Sequence, residues 1–169
     1  AKPPLEIGPR DADRIWLFDL RSGLGVRPHD SAHSSILVDG PYHYINTSNG
    51  LNSQHDGVEK PDAPSLVVLD KKTGKLVARD GENIGPGIFH CTWSSPSLGQ
   101  VNGRRLVFFA GGDGVVYAFD ALKPEDIQGS RASRQQLLGV SSEETPKSKR
   151  TLNRVWKFDS DPTAPKENI

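Results

Sequence analysis

Five histidines and one cysteine are the side chains of this 169-residue chain best suited to ligate a metal or act as nucleophile or base. His29 and His33 are four apart, a spacing that puts two imidazoles on one helix face. Pro28 and the serines around them do not make a helix, so that argument fails. His43 falls in an apolar run, His55 in a polar connection and His90 beside Cys91. Scattered in this way, the histidines read as structural or solvent-facing, and no metal site is assigned. A single Cys excludes an internal disulfide framework and an all-Cys metal site, and no Cys-x-x-Cys-His motif is present to attach a c-type haem. The Ser, His and Asp residues form no nucleophile elbow, so no catalytic residue is assigned. Gly111-Gly112-Asp113-Gly114 precedes a strand-like run rather than a helix, so it reads as a hairpin turn and not as a phosphate cradle. Asn46-Thr47-Ser48 fits a glycosylation sequon but sits at a strand end, and no glycan is assigned. The most interesting pair is His90 with Trp93, on a loop leading into a strand. With His29 and Asp113 they are the candidates for a binding face.

The whole-chain balance narrows the partners. Lys plus Arg and Asp plus Glu both number 21, for a formal net charge of zero. That argues against a strongly basic nucleic-acid binder and a polybasic membrane anchor. Three Trp and six Phe, most of them inside strand-like runs, are too few for a base-stacking surface. No run approaches the roughly 18 consecutive apolar residues of a membrane span, and no apolar signal segment is seen. The chain begins at Ala1 and contains no Met, from which a processed or excised piece is expected.

The elements that must position these residues are short. Apolar runs of three to six residues recur at 14–19, 36–38, 42–45, 66–69, 76–78, 106–110, 115–119 and 155–158, fenced by Gly, Pro, Asn or Asp. They are rich in β-branched and aromatic residues, the mark of strands and tight turns. No 3.6-residue apolar period is sustained over a dozen residues, and the best helix candidate, Arg131 to Leu138, is short and polar. Two stretches repeat a pattern of strand, two-residue turn, strand and small-residue turn: 34–50 and 94–114. Each continues into a strand ending in an apolar residue and Asp, at Leu69-Asp70 and Phe119-Asp120, 50 residues apart. Periods of roughly 40–50 residues with four strands each indicate propeller blades. Two regions break the repeat: the polar connection Leu51 to Pro64, and a polar insertion at 123–153 where a tight turn is expected. Gln128 to Arg150 within it reads as mobile or as a docking segment.

Leu69-Asp70-Lys71-Lys72-Thr73-Gly74-Lys75 resembles the repeat of pyrroloquinoline-quinone-type proteins, Ala-x-Asp-x-x-Thr-Gly-Lys-x-x-Trp. Thr-Gly makes the hairpin turn, Gly supplies the positive φ, and Asp accepts turn N–H groups. The Trp place holds Ala78 here, while Trp16 and Trp156 fill the equivalent place in Ile-Trp-Leu-Phe-Asp and Val-Trp-Lys-Phe-Asp. The second repeat keeps Gly112 to Asp120 but has the insertion in place of Thr-Gly-Lys. With His90 to Pro96, the ensemble is similar to quinoprotein-like propellers common in bacteria, over about residues 14–120 and 154–160.

The resemblance implies an all-β fold, a partial β-propeller of four-stranded antiparallel blades like those of quinoprotein alcohol dehydrogenases. Residues 1–169 form one partial domain. Within it, 1–32 carry the last strand of a preceding blade and a connection, 33–80 a blade, and 90–160 a blade with the 123–153 insertion. A closed ring needs about 4–8 blades, so further blades or further chains complete it. The implied function is a binding or scaffold module for a protein partner or ligand, in the periplasm or at the cell surface. An alternative is a segment of a quinone-dependent dehydrogenase of alcohols or sugars. Another is an accessory subunit of a larger redox or membrane complex. The family's quinone site also needs calcium and an Asp base. Cys91 lacks the adjacent cysteine many such dehydrogenases carry, and no Glu-Asn-Asp grouping is assigned, so quinone and calcium are expected only if the remaining blades supply the site.

Overall fold

The computed structural model describes residues 14–30, 32–127 and 150–163. The expected helix at 131–138 and most of the expected mobile or docking segment lie outside them. Eight strands form two four-stranded antiparallel sheets, each a simple meander. The first holds β1 (Leu37–Asp39), β2 (Tyr42–Asn46), β3 (Leu66–Asp70) and β4 (Leu76–Arg79). The second holds β5 (Ser97–Val101), β6 (Arg104–Ala110), β7 (Val115–Asp120) and β8 (Arg154–Asp159). The described residues are therefore mostly β, consistent with an all-β fold. One five-residue helix, α1 (Leu20–Leu24), is capped by Asp19 at its start and by Gly25 at its end.

The turns follow from the residues at their corners. Asn102 and Gly103 both take positive φ, 50° and 78°, as a two-residue hairpin turn of the right twist requires. At the β3–β4 turn, Asp70 Oδ1 accepts the backbone N–H groups of Lys72 (2.9 Å) and Thr73 (2.8 Å) and the Thr73 hydroxyl (3.0 Å). Gly74 completes that turn with φ +68°. The ring of Trp16 lies so close over it that a β-carbon on residue 74 would stand 2.5 Å from Trp16 Cδ2. Trp16 also donates its indole N–H to the Lys71 carbonyl at 2.9 Å. Residues 14–19, expected as a strand, form none. A strand exists only where another backbone pairs with it, and this stretch meets the first sheet through the Trp16 side chain instead.

Register fixes which faces meet. Leu37, Tyr44, Val68 and Ala78 lie in one row across the first sheet. Ser97, Phe108, Ala118 and Trp156 form the corresponding row of the second. Both rows end beside a bulge, after Val68 and after Ala118, so Ala78 and Trp156 occupy the same place. The first sheet turns this face, with Tyr42, Tyr44, Leu66, Val68 and Ala78, into a core shared with the second. The second contributes its opposite face, with Val107, Phe109, Tyr117 and Phe119. Tyr44 Oη, accepting the Leu122 N–H at 2.8 Å, and the Leu152 N–H to Arg79 carbonyl bond, 2.8 Å, tie the two sheets together. Burial, the largest cause, pushes the Tyr44 phenol up to about 12, so it stays a neutral structural group. The corresponding face of the second sheet is left open. On it Val101 is 47% exposed, Trp156 39% and Phe158 61%.

Candidate functional site

A meander alternates its ends. The turns β1–β2, β3–β4 and β5–β6 gather at one end, and the connections β2–β3, β4–β5 and β6–β7 at the other. The second end carries the chemistry. Residues 47–50 leave β2 along a buried polar path. Asn46 donates its side-chain amide to the carbonyls of Thr92 (2.9 Å) and Ser94 (2.8 Å). Thr47 Oγ1 donates to the Pro64 carbonyl at 2.7 Å, and Asn49 Nδ2 to the Lys60 carbonyl at 2.9 Å. Asn46, being 2% exposed with its amide engaged in this way, is a structural residue and not a sugar acceptor. Asp80 closes the same connection by accepting the backbone N–H groups of Ser65 and Leu66, both at 2.8 Å.

Gly50 is the crossing point. It bridges to Cys91, Pro28 bridges to Asn49, and the Leu51 N–H bonds the His90 carbonyl at 2.8 Å. A β-carbon on Gly50 would lie 2.6 Å from the His90 carbonyl oxygen and 2.9 Å from His29 Cβ, so only glycine lets these three segments cross. The crossing brings together His29, His55 and His90, 61 residues apart at the extremes. One ring nitrogen from each lies within 4.8 Å of the others. Ring centroids are 4.5 Å apart for His29–His55, 4.4 Å for His29–His90 and 5.0 Å for His55–His90. His55 Nε2 faces His90 Nε2 at 3.1 Å. His29 Nδ1 meets the Leu51 carbonyl oxygen at 2.9 Å, and its Nε2 lies 3.8 Å from Asp30 Oδ2. Trp93 stands edge-on to His90 with centroids 5.1 Å apart. His29 is partly buried, while His55 is exposed at the rim.

His55 owes its place to a tight loop. Asn52 Nδ2 donates to Asp56 Oδ1 at 2.6 Å, the Asn52 N–H to the Gly57 carbonyl at 2.9 Å, and the His55 N–H to the Asn52 carbonyl at 3.2 Å. Within that loop His55 takes φ +60°, a left-handed conformation uncommon for a residue with a side chain.

Of the four residues expected on a binding face, His29, His90 and Trp93 are neighbours. Asp113 is turned inward, accepting from the Tyr117 hydroxyl at 2.5 Å and the Val115 N–H at 3.2 Å. Burial first, and that bond second, push the Tyr117 phenol above its ordinary range, so Asp113 is a turn anchor. His55 was not among the expected binding-face residues, and the scattered reading of the histidines gives way to a cluster of three. Spacing along the chain could not reveal it, because three connections converge only after both sheets form. Cys91, beside the cluster, donates its thiol to the Ser48 carbonyl at 3.2 Å, and burial pushes that thiol up, away from thiolate chemistry.

The opposite end has a broad concavity of about 820 Å³ with Arg104, Arg105 and Asp120 on its lining. Arg104 grips both oxygens of Asp120, at 2.6 and 2.8 Å, and Arg105 pairs with Asp39 at 2.5 Å. These two cations are already matched and offer a ligand little.

No family model, curated protein or solved structure matches this chain. No helix among the described residues is long and apolar enough to cross a membrane. The quinone site of the proteins that the repeat resembles calls for calcium, a hard ion that takes oxygen ligands. The donor cluster found among the described residues is three imidazoles, a nitrogen set that does not suit calcium.

Proposed function

We propose that residues 33–80 and 90–160 are two blades of a quinoprotein-like β-propeller, and that the chain serves as a binding or scaffold module in the periplasm or at the cell surface. The observation that carries this reading is the way one face of the first sheet meets the opposite face of the second. Such head-to-tail packing does not satisfy itself. Each added sheet leaves the same face open again, until rotation closes a ring.

The open face of the second sheet, with Val101, Phe108, Trp156 and Phe158, is then the seat of a further four-stranded blade. Trp16 shows the kind of contact involved, lying on the Gly74 turn and bonding Lys71. Trp156 would meet a turn of that kind in the next blade. The ligand-facing surface is the end that carries His29, His90 and Trp93, where long connections replace tight turns. A quinone and its calcium, in a dehydrogenase of this architecture, would draw their oxygen ligands from blades beyond these two.

Two measurements test the reading. The native polypeptide is expected to run far above 18.4 kDa, or chains of that mass to associate, with Trp156 emission shifted to the blue as its ring is covered. A native monomer of 18.4 kDa with a solvated Trp156 overturns it. Absorbance after adding quinone and calcium is expected to show no bound cofactor, and a stoichiometric quinone spectrum would favour the dehydrogenase alternative.

A further inference from the structure

We propose that His29, His55 and His90 bind one divalent transition-metal ion of the zinc class, each through one ring nitrogen. This inference rests on the reading that the same end of the sheets is a binding surface, and names what it binds.

Two hydrogen-bonding facts direct lone pairs into the gap between the rings. A carbonyl oxygen only accepts, so His29 Nδ1, 2.9 Å from the Leu51 oxygen, carries the ring hydrogen and leaves its Nε2 with the lone pair. This is the carbonyl support that metal-ligating histidines commonly have. His55 Nε2 and His90 Nε2 face each other at 3.1 Å, so both cannot carry hydrogens, and at least one more lone pair points into the gap. An ion there relieves that conflict by taking both.

The spacing fits. Two nitrogens held at about 2.0–2.1 Å by a tetrahedral zinc lie roughly 3.3–3.4 Å apart. The His55–His90 pair is already at 3.1 Å. The widest separation, up to 4.8 Å, must close by roughly 1.4 Å. His55, exposed at the rim, is the member of the three with room to move. Three neutral imidazoles suit zinc, copper or cobalt and not calcium or magnesium. Three protein ligands leave a fourth position for water or a small anion, with Asp30 adjacent.

The test uses the full chain stripped with a chelator. Titration with cobalt(II) is expected to give a visible absorption band that saturates at one equivalent and is lost on adding zinc. His55→Ala and His90→Ala should each weaken cobalt binding by at least about tenfold, as losing one of three ligands implies. His33→Ala and His43→Ala, which change histidines outside the cluster, should not. His55 is exposed on a loop, so its variant should melt like the parent in the absence of metal. Copper(II) should quench emission in the parent more than in Trp93→Phe, since Trp93 touches His90. No band at equimolar cobalt, or equal binding by the parent and the His55→Ala/His90→Ala double variant, overturns the proposal. Cobalt binding by a lone monomer would sink the propeller reading and keep the metal. An associating chain without cobalt binding would do the reverse.

Discussion

Replacing Gly50 with alanine tests whether one crossing point builds the site. The new β-carbon would stand 2.6 Å from the His90 carbonyl oxygen, 2.9 Å from His29 Cβ and 3.1 Å from Cys91 Cα. Carbon atoms in ordinary contact sit about 3.5–4.0 Å apart, so the 88–91 segment must retreat by roughly half an ångström or more. Two of the three opposing atoms are backbone, and no side-chain rotation relieves them. The Leu51 N–H to His90 carbonyl bond, 2.8 Å, opens with the same movement. Overpacking of this kind costs about 1–3 kcal/mol. For a chain of this length each kcal/mol lowers the melting temperature by about 2–4 °C, giving a drop of roughly 2–12 °C. His29 and His90 flank residue 50, so cobalt affinity should fall alongside stability. Thermal melts by circular dichroism and cobalt titration read the two effects. Gly57→Ala is the control, because nothing lies within 4 Å of a β-carbon there. If Gly50→Ala melts with the parent and binds cobalt equally well, the segments do not cross as described and the account of the site fails.

Trp16→Ala should lower the melting temperature by several degrees, because it strips the cover from the Gly74 turn, whereas Trp156→Ala should leave an isolated chain nearly unchanged and weaken only its association; equal effects in melts would refute the open-face argument. The Arg104 guanidinium holds the Asp120 carboxyl below its ordinary 3.8. A lowered carboxyl stabilises the fold above that value and loses its contribution as pH falls through the folded one. The melting gap between the parent and Asp120→Asn should therefore be widest near neutrality and close in acid, and a gap independent of pH would contradict the ion pair. Tyr117→Phe leaves the buried Asp113 carboxylate without its hydroxyl donor and should cost about 1–3 kcal/mol in chemical denaturation. Ala78→Trp restores the repeat's own residue yet should destabilise by about 1–3 kcal/mol or more, since Ala78 is fully buried between the sheets; a stabilised variant would refute that packing.

Seven of the eight strands were legible as short, fenced apolar runs, whereas β5, polar and largely exposed, showed only through the repeat at 94–114. The Asn102-Gly103 turn and the Asp70-to-Gly74 turn formed as their residue types require. Bounds shifted by a residue or so where apolar content and backbone pairing differ, as at Leu37–Asp39 against the expected 36–38. Residues 14–19 have strand composition without a pairing partner, which composition cannot supply. The Thr47-to-Gly50 stretch reads in the sequence as a small-residue turn and no more. It is buried, and its polarity serves hydrogen bonds to the carbonyls of Lys60 and Pro64 in the connection that follows it. His29, His90 and Trp93 stand out in the sequence as unusual types beside turn signals, but their meeting with His55 does not.

The missing repeat residues are coupled in a way that composition alone hides. Trp16 lies over a Thr-Gly turn in the first sheet. At the equivalent place in the first sheet's last strand, the row residue is Ala78, and the second sheet carries the 123–153 insertion where a Thr-Gly turn would receive a tryptophan. At this junction the tryptophan and the Thr-Gly turn that would receive it are both absent. Leu122, just before the insertion, and Leu152, near its end, join the shared core. Trp156 keeps its ring on the open face. On the proposed blade reading Trp156 would meet a further blade, and the contacting turn there should again carry glycine where the indole lies flat.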